Sequence, residues 1–149
     1  MQKQETVFFI DRCLGGKRLP ESLRLLGIRV EIHDDHFAKD ALDKDWLPQV
    51  ASKKWIIFTK DTRIGFRNLE RLAVASSGAR LFVLVAKNAD INTIIQAFSK
   101  SLPTVMKFLE NNQAPFIAKI YKDGAVSQWQ DCDNLKNFMD NLLDEINHE

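Results

Sequence analysis

Three apolar runs set the tightest limit on how this chain folds: VFFI at Val7–Ile10, WIIFT at Trp55–Thr59 and LFVLVA at Leu81–Ala86. Runs this short and this continuous suit strands covered on both faces, the last being the best candidate for a central one. Between them the spacing is helical: Leu19, Leu23 and Leu26 ahead of Gly27, then Leu69, Leu72 and Ala73 ahead of Ser77-Gly78. After the first helix, IRVEIH alternates Ile28, Val30 and Ile32 with polar residues, as a half-covered strand does. Strands alternating with helices predict a mostly parallel sheet with right-handed crossovers.

The stretch DDHFAKDALDKDWLPQVASKK reads as a loop entering a helix, with Trp46, Leu47 and Val50 turned inward and Pro48 in the first turn. Residues 88–112 read as one or two helices, capped by Asp90, with Pro103 starting the second or kinking a single one. In FIAKIYKDGAVSQW, two β-type runs flank Asp123-Gly124, the pair favoured in a tight type I′ hairpin turn. A last helix, Leu135 to Ile146, carries Leu135, Phe138, Met139, Leu142 and Leu143 on one stripe. The expected architecture is one α/β domain over residues 1–149, with a core at about 7–112 and a hairpin-helix extension at about 113–149. A chain of this length buries about 70% of its unfolded surface, so its core needs no staples.

Composition narrows the function classes. With 45% hydrophobic and 28% charged residues the chain is globular, and a net charge of +1 excludes a protein that coats polyanions over its whole surface. Any nucleic-acid site is therefore local. The window from Lys53 to Arg71 is the basic one, holding Lys53, Lys54, Lys60, Arg63, Arg67 and Arg71 against Asp61 and Glu70. Cys13 and Cys132 are too few for a disulfide framework or a zinc knuckle and read as reduced cytosolic thiols. No apolar stretch approaches the roughly 18 residues of a membrane span, so a soluble, cytoplasmic protein is expected.

Ligands of an open parallel sheet bind beyond the carboxyl ends of its strands. Asp11 and Asp61 each follow a strand there. Two carboxylates in one cleft repel, and a divalent cation such as Mg²⁺ or Mn²⁺ resolves the conflict with oxygen ligands. Asp43 and Asp45, at the start of the second helix, offer a third carboxylate; the other role for Asp43 is a first-turn acid complementing the helix dipole. In the tetrad His33-Asp34-Asp35-His36, no third His or well-spaced Cys completes a zinc site, so Asp34 or Asp35 is read as capping a turn or supplementing the acidic cleft. No nucleophile elbow and no phosphate-binding glycine loop occurs; Gly15-Gly16 reads as a tight strand-to-helix turn.

VFFIDRCLG, LDKDWLPQV and WIIFTKD together resemble the PIN-like nucleases, closely the VapC-like toxin branch that carries D-x-x-W-L-P and then T-K-D-x-R-I. The resemblance covers roughly residues 7 to 86 and implies a three-layer α/β fold with helices on both faces of a central, mostly parallel sheet. It implies a ribonuclease dependent on Mg²⁺ or Mn²⁺, with Asp11, Asp43 and Asp61 in the metal site and Asp45 as substitute for Asp43; Asp35 is the further possible ligand from the tetrad. Lys60, Arg63 and Arg67 would then grip the RNA backbone. An antitoxin partner and a homodimer are implied by the resemblance alone. Such nucleases commonly carry a fourth acidic or polar residue just after the third; here that stretch is Thr62-Arg63-Ile64. The alternative is a catalytically inactive PIN-like module that binds RNA or protein.

Overall fold

The computed structural model describes residues 6–147. Its elements run β1 (Val7–Ile10), α1 (Arg18–Leu25), β2 (Arg29–Ile32), α2 (His33–His36), α3 (Asp43–Ser52), β3 (Ile56–Thr59) and α4 (Asn68–Ser77). They continue with β4 (Arg80–Leu84), α5 (Ile91–Asn111), β5 (Phe116–Ile120), β6 (Val126–Gln130) and α6 (Cys132–Asn147). Short 3₁₀ turns at Arg12–Leu14 and Thr62–Gly65 follow β1 and β3.

One six-stranded sheet has the order β2-β1-β3-β4-β5-β6, parallel throughout except for the antiparallel β5–β6 pair. The strand period of two sends alternate residues to opposite faces and so creates two cores. Phe8, Ile10, Phe58 and Phe82 face α1 and α5, where Phe58 stacks on Phe98 with ring centroids 4.5 Å apart. Phe9, Ile57, Leu81 and Ile117 face the other way, against Trp46, Val74 and Leu135 from α3, α4 and α6. The helices thus cover both faces, the layering of the PIN-like fold, and the continuous apolarity of the central strands follows from it.

The order β2-β1-β3 has a functional consequence. The chain leaves β1 toward one edge for β2 and returns past it to β3, so the crossovers reverse between β1 and β3. At such a switch point a crevice opens beyond the carboxyl ends of the strands.

One alternative is settled and three local expectations change. Of the one or two helices expected over residues 88–112, the single α5 (Ile91–Asn111) forms, with Asp90 capping Thr93 N–H at 2.8 Å and Pro103 inside it on an exposed position, where water can reach the carbonyl it leaves without a donor. The His33–His36 tetrad is a short helix, not a loop. The β5–β6 turn is not type I′, which needs positive φ at both central residues; only Gly124 has it, at 87°. Tyr121 N–H instead bonds Ala125 O at 2.9 Å around a three-residue loop, and Asp123 accepts from Ala125 N–H at 3.0 Å. Nor is β5 an appendage: it is buried and pairs parallel to β4 over all its residues.

Candidate functional site

The site begins with the register of β1 on β3, which pairs Ile10 with Phe58 and brings Asp11 and Thr59 side by side. Thr59 Oγ1 donates to Asp11 Oδ2 at 2.7 Å, and the Asp11 main-chain N–H bonds Phe58 O at 2.9 Å. Cys13 Sγ stands 3.4 Å from the same carboxylate oxygen and 3.3 Å from Thr59 Oγ1. Asp11 and Thr59 are buried. All three contacts fall on or around Oδ2, and no buried polar side-chain atom among the described residues lacks a partner, so Oδ1 is the oxygen turned to solvent. Burial, and then the Asp11 charge, push the Cys13 thiol up to about 12, so it stays protonated and is no nucleophile.

Asp43 opens α3 without capping it: the N-cap is Leu42, and Asp43 Oδ1 accepts from Trp46 Nε1 at 3.0 Å. Burial first, then the charge of Asp11, and further Asp61 and Glu70, raise Asp43 to about 6. These four acids therefore share one electrostatic environment. Asp45, two residues on, points away by helical geometry and pairs with Lys44 Nζ at 3.1 Å; it does not join them.

Asp61 caps the 3₁₀ turn after β3, accepting from Arg63 N–H at 3.1 Å. The Arg63 side chain also holds it, Nε to Oδ1 at 2.9 Å. Arg67 lies 3.8 Å from Glu70 Oε1, while Lys60 is exposed and its main-chain N–H reaches Cys13 Sγ at 3.5 Å. The basic residues thus rim the acids, two of them already paired to acids.

The histidine tetrad is occupied structurally. His33 is buried beside Trp46 and Phe37 and donates toward Asp34 at 3.0 Å; His36 meets Glu31 at 2.9 Å. The His33 hydrogen bond, and then Arg12, hold Asp34 below the usual carboxylate range. Asp35 is exposed. Sequence reasoning missed Glu70, an acid nine positions beyond Asp61 in the first turn of α4, and Thr59, the polar residue that ends an otherwise apolar strand.

Asp11, Asp43, Asp61 and Glu70 offer oxygen donors only, their repulsion met in part by Arg63 on Asp61 and Arg67 near Glu70, and by charge and donor type that set suits a hard divalent cation. Among the described residues no group of three or more His, Cys, Asp or Glu side chains stands close enough together to hold a metal ion. Asp61 is engaged by Arg63.

A parallel sheet covered on both faces, with acids gathered beyond the carboxyl ends of β1 and β3 at its switch point, defines the class as an open α/β domain with a candidate ligand site at that edge. A family model described as a PIN-like domain matches residues 6–86, more than half of the chain, and the chain belongs to that family. A Mycobacterium tuberculosis protein named "Putative ribonuclease VapC45" is 29% identical over 117 residues, which span 76% of this chain and 84% of that protein. No solved structure gives a significant match. No helix among the described residues is long and apolar enough to cross a membrane.

Proposed function

We propose that this chain is a divalent-metal-dependent ribonuclease that hydrolyses RNA phosphodiesters, acting as the toxin of a toxin–antitoxin pair. The observation that carries the reading is the gathering of acids beyond the carboxyl ends of β1 and β3, where burial and the charges of Asp11, Asp61 and Glu70 push Asp43 up. Such crowding costs stability, and a hard cation relieves it. Membership in the PIN-like family and the likeness to a protein named for ribonuclease activity support the same reading.

Asp11, Asp43 and Asp61 would hold Mg²⁺ or Mn²⁺, with Glu70 as the fourth acid. When bound, the cation polarises the scissile phosphate and lowers the pKa of an attacking water. The chain does the rest. Thr59 and Cys13 fix Asp11 so that one oxygen faces the crevice. Lys60, Arg63 and Arg67 neutralise RNA phosphates, which makes affinity fall with added salt. An antitoxin and a second copy of the chain are the protein partners this reading implies.

A binding module without catalysis is the second reading, favoured by one observation: Arg63 occupies Asp61 where a metal would need it. Two measurements separate them. Wild-type protein should cleave RNA with Mg²⁺ or Mn²⁺ and stop in EDTA, and Asp61→Asn should abolish cleavage while keeping the fold. Full activity in Asp61→Asn would sink the nuclease reading, and no thermal shift at millimolar Mn²⁺ would favour the binding module.

A further inference from the structure

The helix α6 lies along α4, and between them runs an open groove of about 540 Å³. Its lining includes Asn68, Asn134, Asn137 and Asn141 together with Trp129 and Phe138. Residues 134, 137, 138 and 141 recur at helical spacing, so one stripe of α6 presents three amides and a ring. The side-chain amides of Asn68, Asn137 and Asn141 have no hydrogen-bond partner among the described residues. Asn134 uses only its Oδ1, accepting from Asp131 N–H at 2.9 Å.

Arg71 and Gln130 in the lining are paired with each other. Arg71 Nε donates to Gln130 Oε1 at 2.6 Å, and its guanidinium covers the Phe138 ring at 4.0 Å. Gln130 Nε2 in turn donates to Gly65 O at 3.0 Å. What remains is a set of neutral donor-acceptor groups beside two rings, each with one face already under a cation (Arg71 on Phe138, Lys119 on Trp129), with the acid Glu145 on the rim. Phosphate is a poor match for that surface. Heterocyclic bases match it, since their edges pair with amides and their faces stack on rings. The volume lies within the roughly 300–1,000 Å³ of small-molecule sites.

Through Trp129 and Gln130 the groove touches the turn that Asp61 caps. Trp129 lies so close over Gly65 that a Cβ there would overlap its ring, and Phe66, 72% exposed, meets Trp129 edge-on at 5.3 Å. Asp61 and Arg63 sit at the head of that same turn.

We propose that the α4–α6 groove holds unpaired bases of single-stranded RNA flanking the bond to be cut, so that Asn68, Asn137 and Asn141 set the sequence preference. This rests on the ribonuclease reading above. The test cleaves a randomised single-stranded RNA pool with wild type and with the Asn137→Ala/Asn141→Ala double variant, then sequences the new ends. Both positions are exposed and helical, so circular dichroism melts should confirm the fold of the variant. A preference of about tenfold at one or two positions in the wild type, the scale of one amide–base pair, should flatten in the variant. In parallel, 5-bromouridine RNA photo-crosslinked to the full-length Asp61→Asn protein should label the peptide bearing Trp129 or Phe138. Unchanged preference with crosslinks elsewhere would overturn the inference, leave the ribonuclease reading standing and point to a protein segment as the groove's occupant. Neither cleavage nor crosslinking by any form would remove both.

Discussion

The Arg63 side chain closes on Asp61 twice, Nε to Oδ1 at 2.9 Å and Nη2 to Oδ2 at 3.4 Å, while its own main-chain N–H reaches Oδ1 at 3.1 Å. Both oxygens proposed for a cation are therefore shared with a guanidinium. Arg63 is 64% exposed, and ion pairs so exposed are weak and screened. Arg63→Ala should tighten Mn²⁺ binding by about threefold, the scale of one exposed pair, read as a lower midpoint in a thermal-shift titration. The same variant should bind RNA less tightly and show a salt slope smaller by about one. An unchanged Mn²⁺ midpoint would argue that Asp61 is not a ligand.

Asp43 makes a pH prediction with a definite sign. Its carboxyl titrates at about 6 in the fold against 3.8 ordinarily, so between those values the native state holds a proton that the unfolded chain lacks. Stability falls as pH rises through that window, and the loss is complete above it. Discounted for the partial exposure of the group, the loss is about 1 kcal/mol. Asp43→Asn keeps an oxygen for Trp46 Nε1 and should raise Tm by about 3 °C at pH 7.5 in EDTA, with no gain near pH 4. Saturating Mn²⁺ should reverse the order of the two proteins at pH 7.5.

Asp11 and Asp61 were legible in the sequence because each follows a short apolar strand, and parallel strands bring such positions to one edge. The choice between Asp43 and Asp45 was not, because two residues in a helix turn the side chain by about 200° and only the packing of Trp46 fixes which one faces inward. The pairing of Thr59 with Asp11 depends on strand register, Ile10 on Phe58, which no local pattern encodes. Glu70 belongs to the next helix, and its approach to Asp43 is set by how α4 packs on α3. The amides of α6 carry no local signal in the sequence; their place beside α4 follows from how β5 joins the sheet and α6 packs on α4.

Thr59 is expected to hold Asp11 through its hydroxyl rather than its shape. Thr59→Val keeps the volume but leaves the Asp11 carboxylate, 6% exposed, with only a thiol beside Oδ2. The loss should be about 1.5–3 kcal/mol in urea melts at neutral pH, the range for hydrogen bonds to charged groups. Thr59→Ser should recover most of it, because the hydroxyl returns. A Ser variant that costs more than the Val variant would mean that the methyl group, and not the hydrogen bond, is what matters.

Gly65 and Trp129 should be coupled through space alone. Gly65 does not need glycine for a left-handed backbone; it needs it because the Trp129 ring occupies the place of a Cβ. That ring is braced by Lys119 Nζ at 4.7 Å and by Phe66, so it has little freedom to withdraw. Gly65→Ala should therefore cost about 2 kcal/mol, an overpacking penalty. In a Trp129→Ala background the space is open and the same substitution should cost no more than about 0.5 kcal/mol, a coupling that a double-mutant cycle reads directly. Asp61 caps the turn that contains Gly65, so Gly65→Ala alone should also raise the Mn²⁺ midpoint, and adding Trp129→Ala should restore it. Equal costs in both backgrounds would mean that the turn, not the ring, is what resists the methyl group.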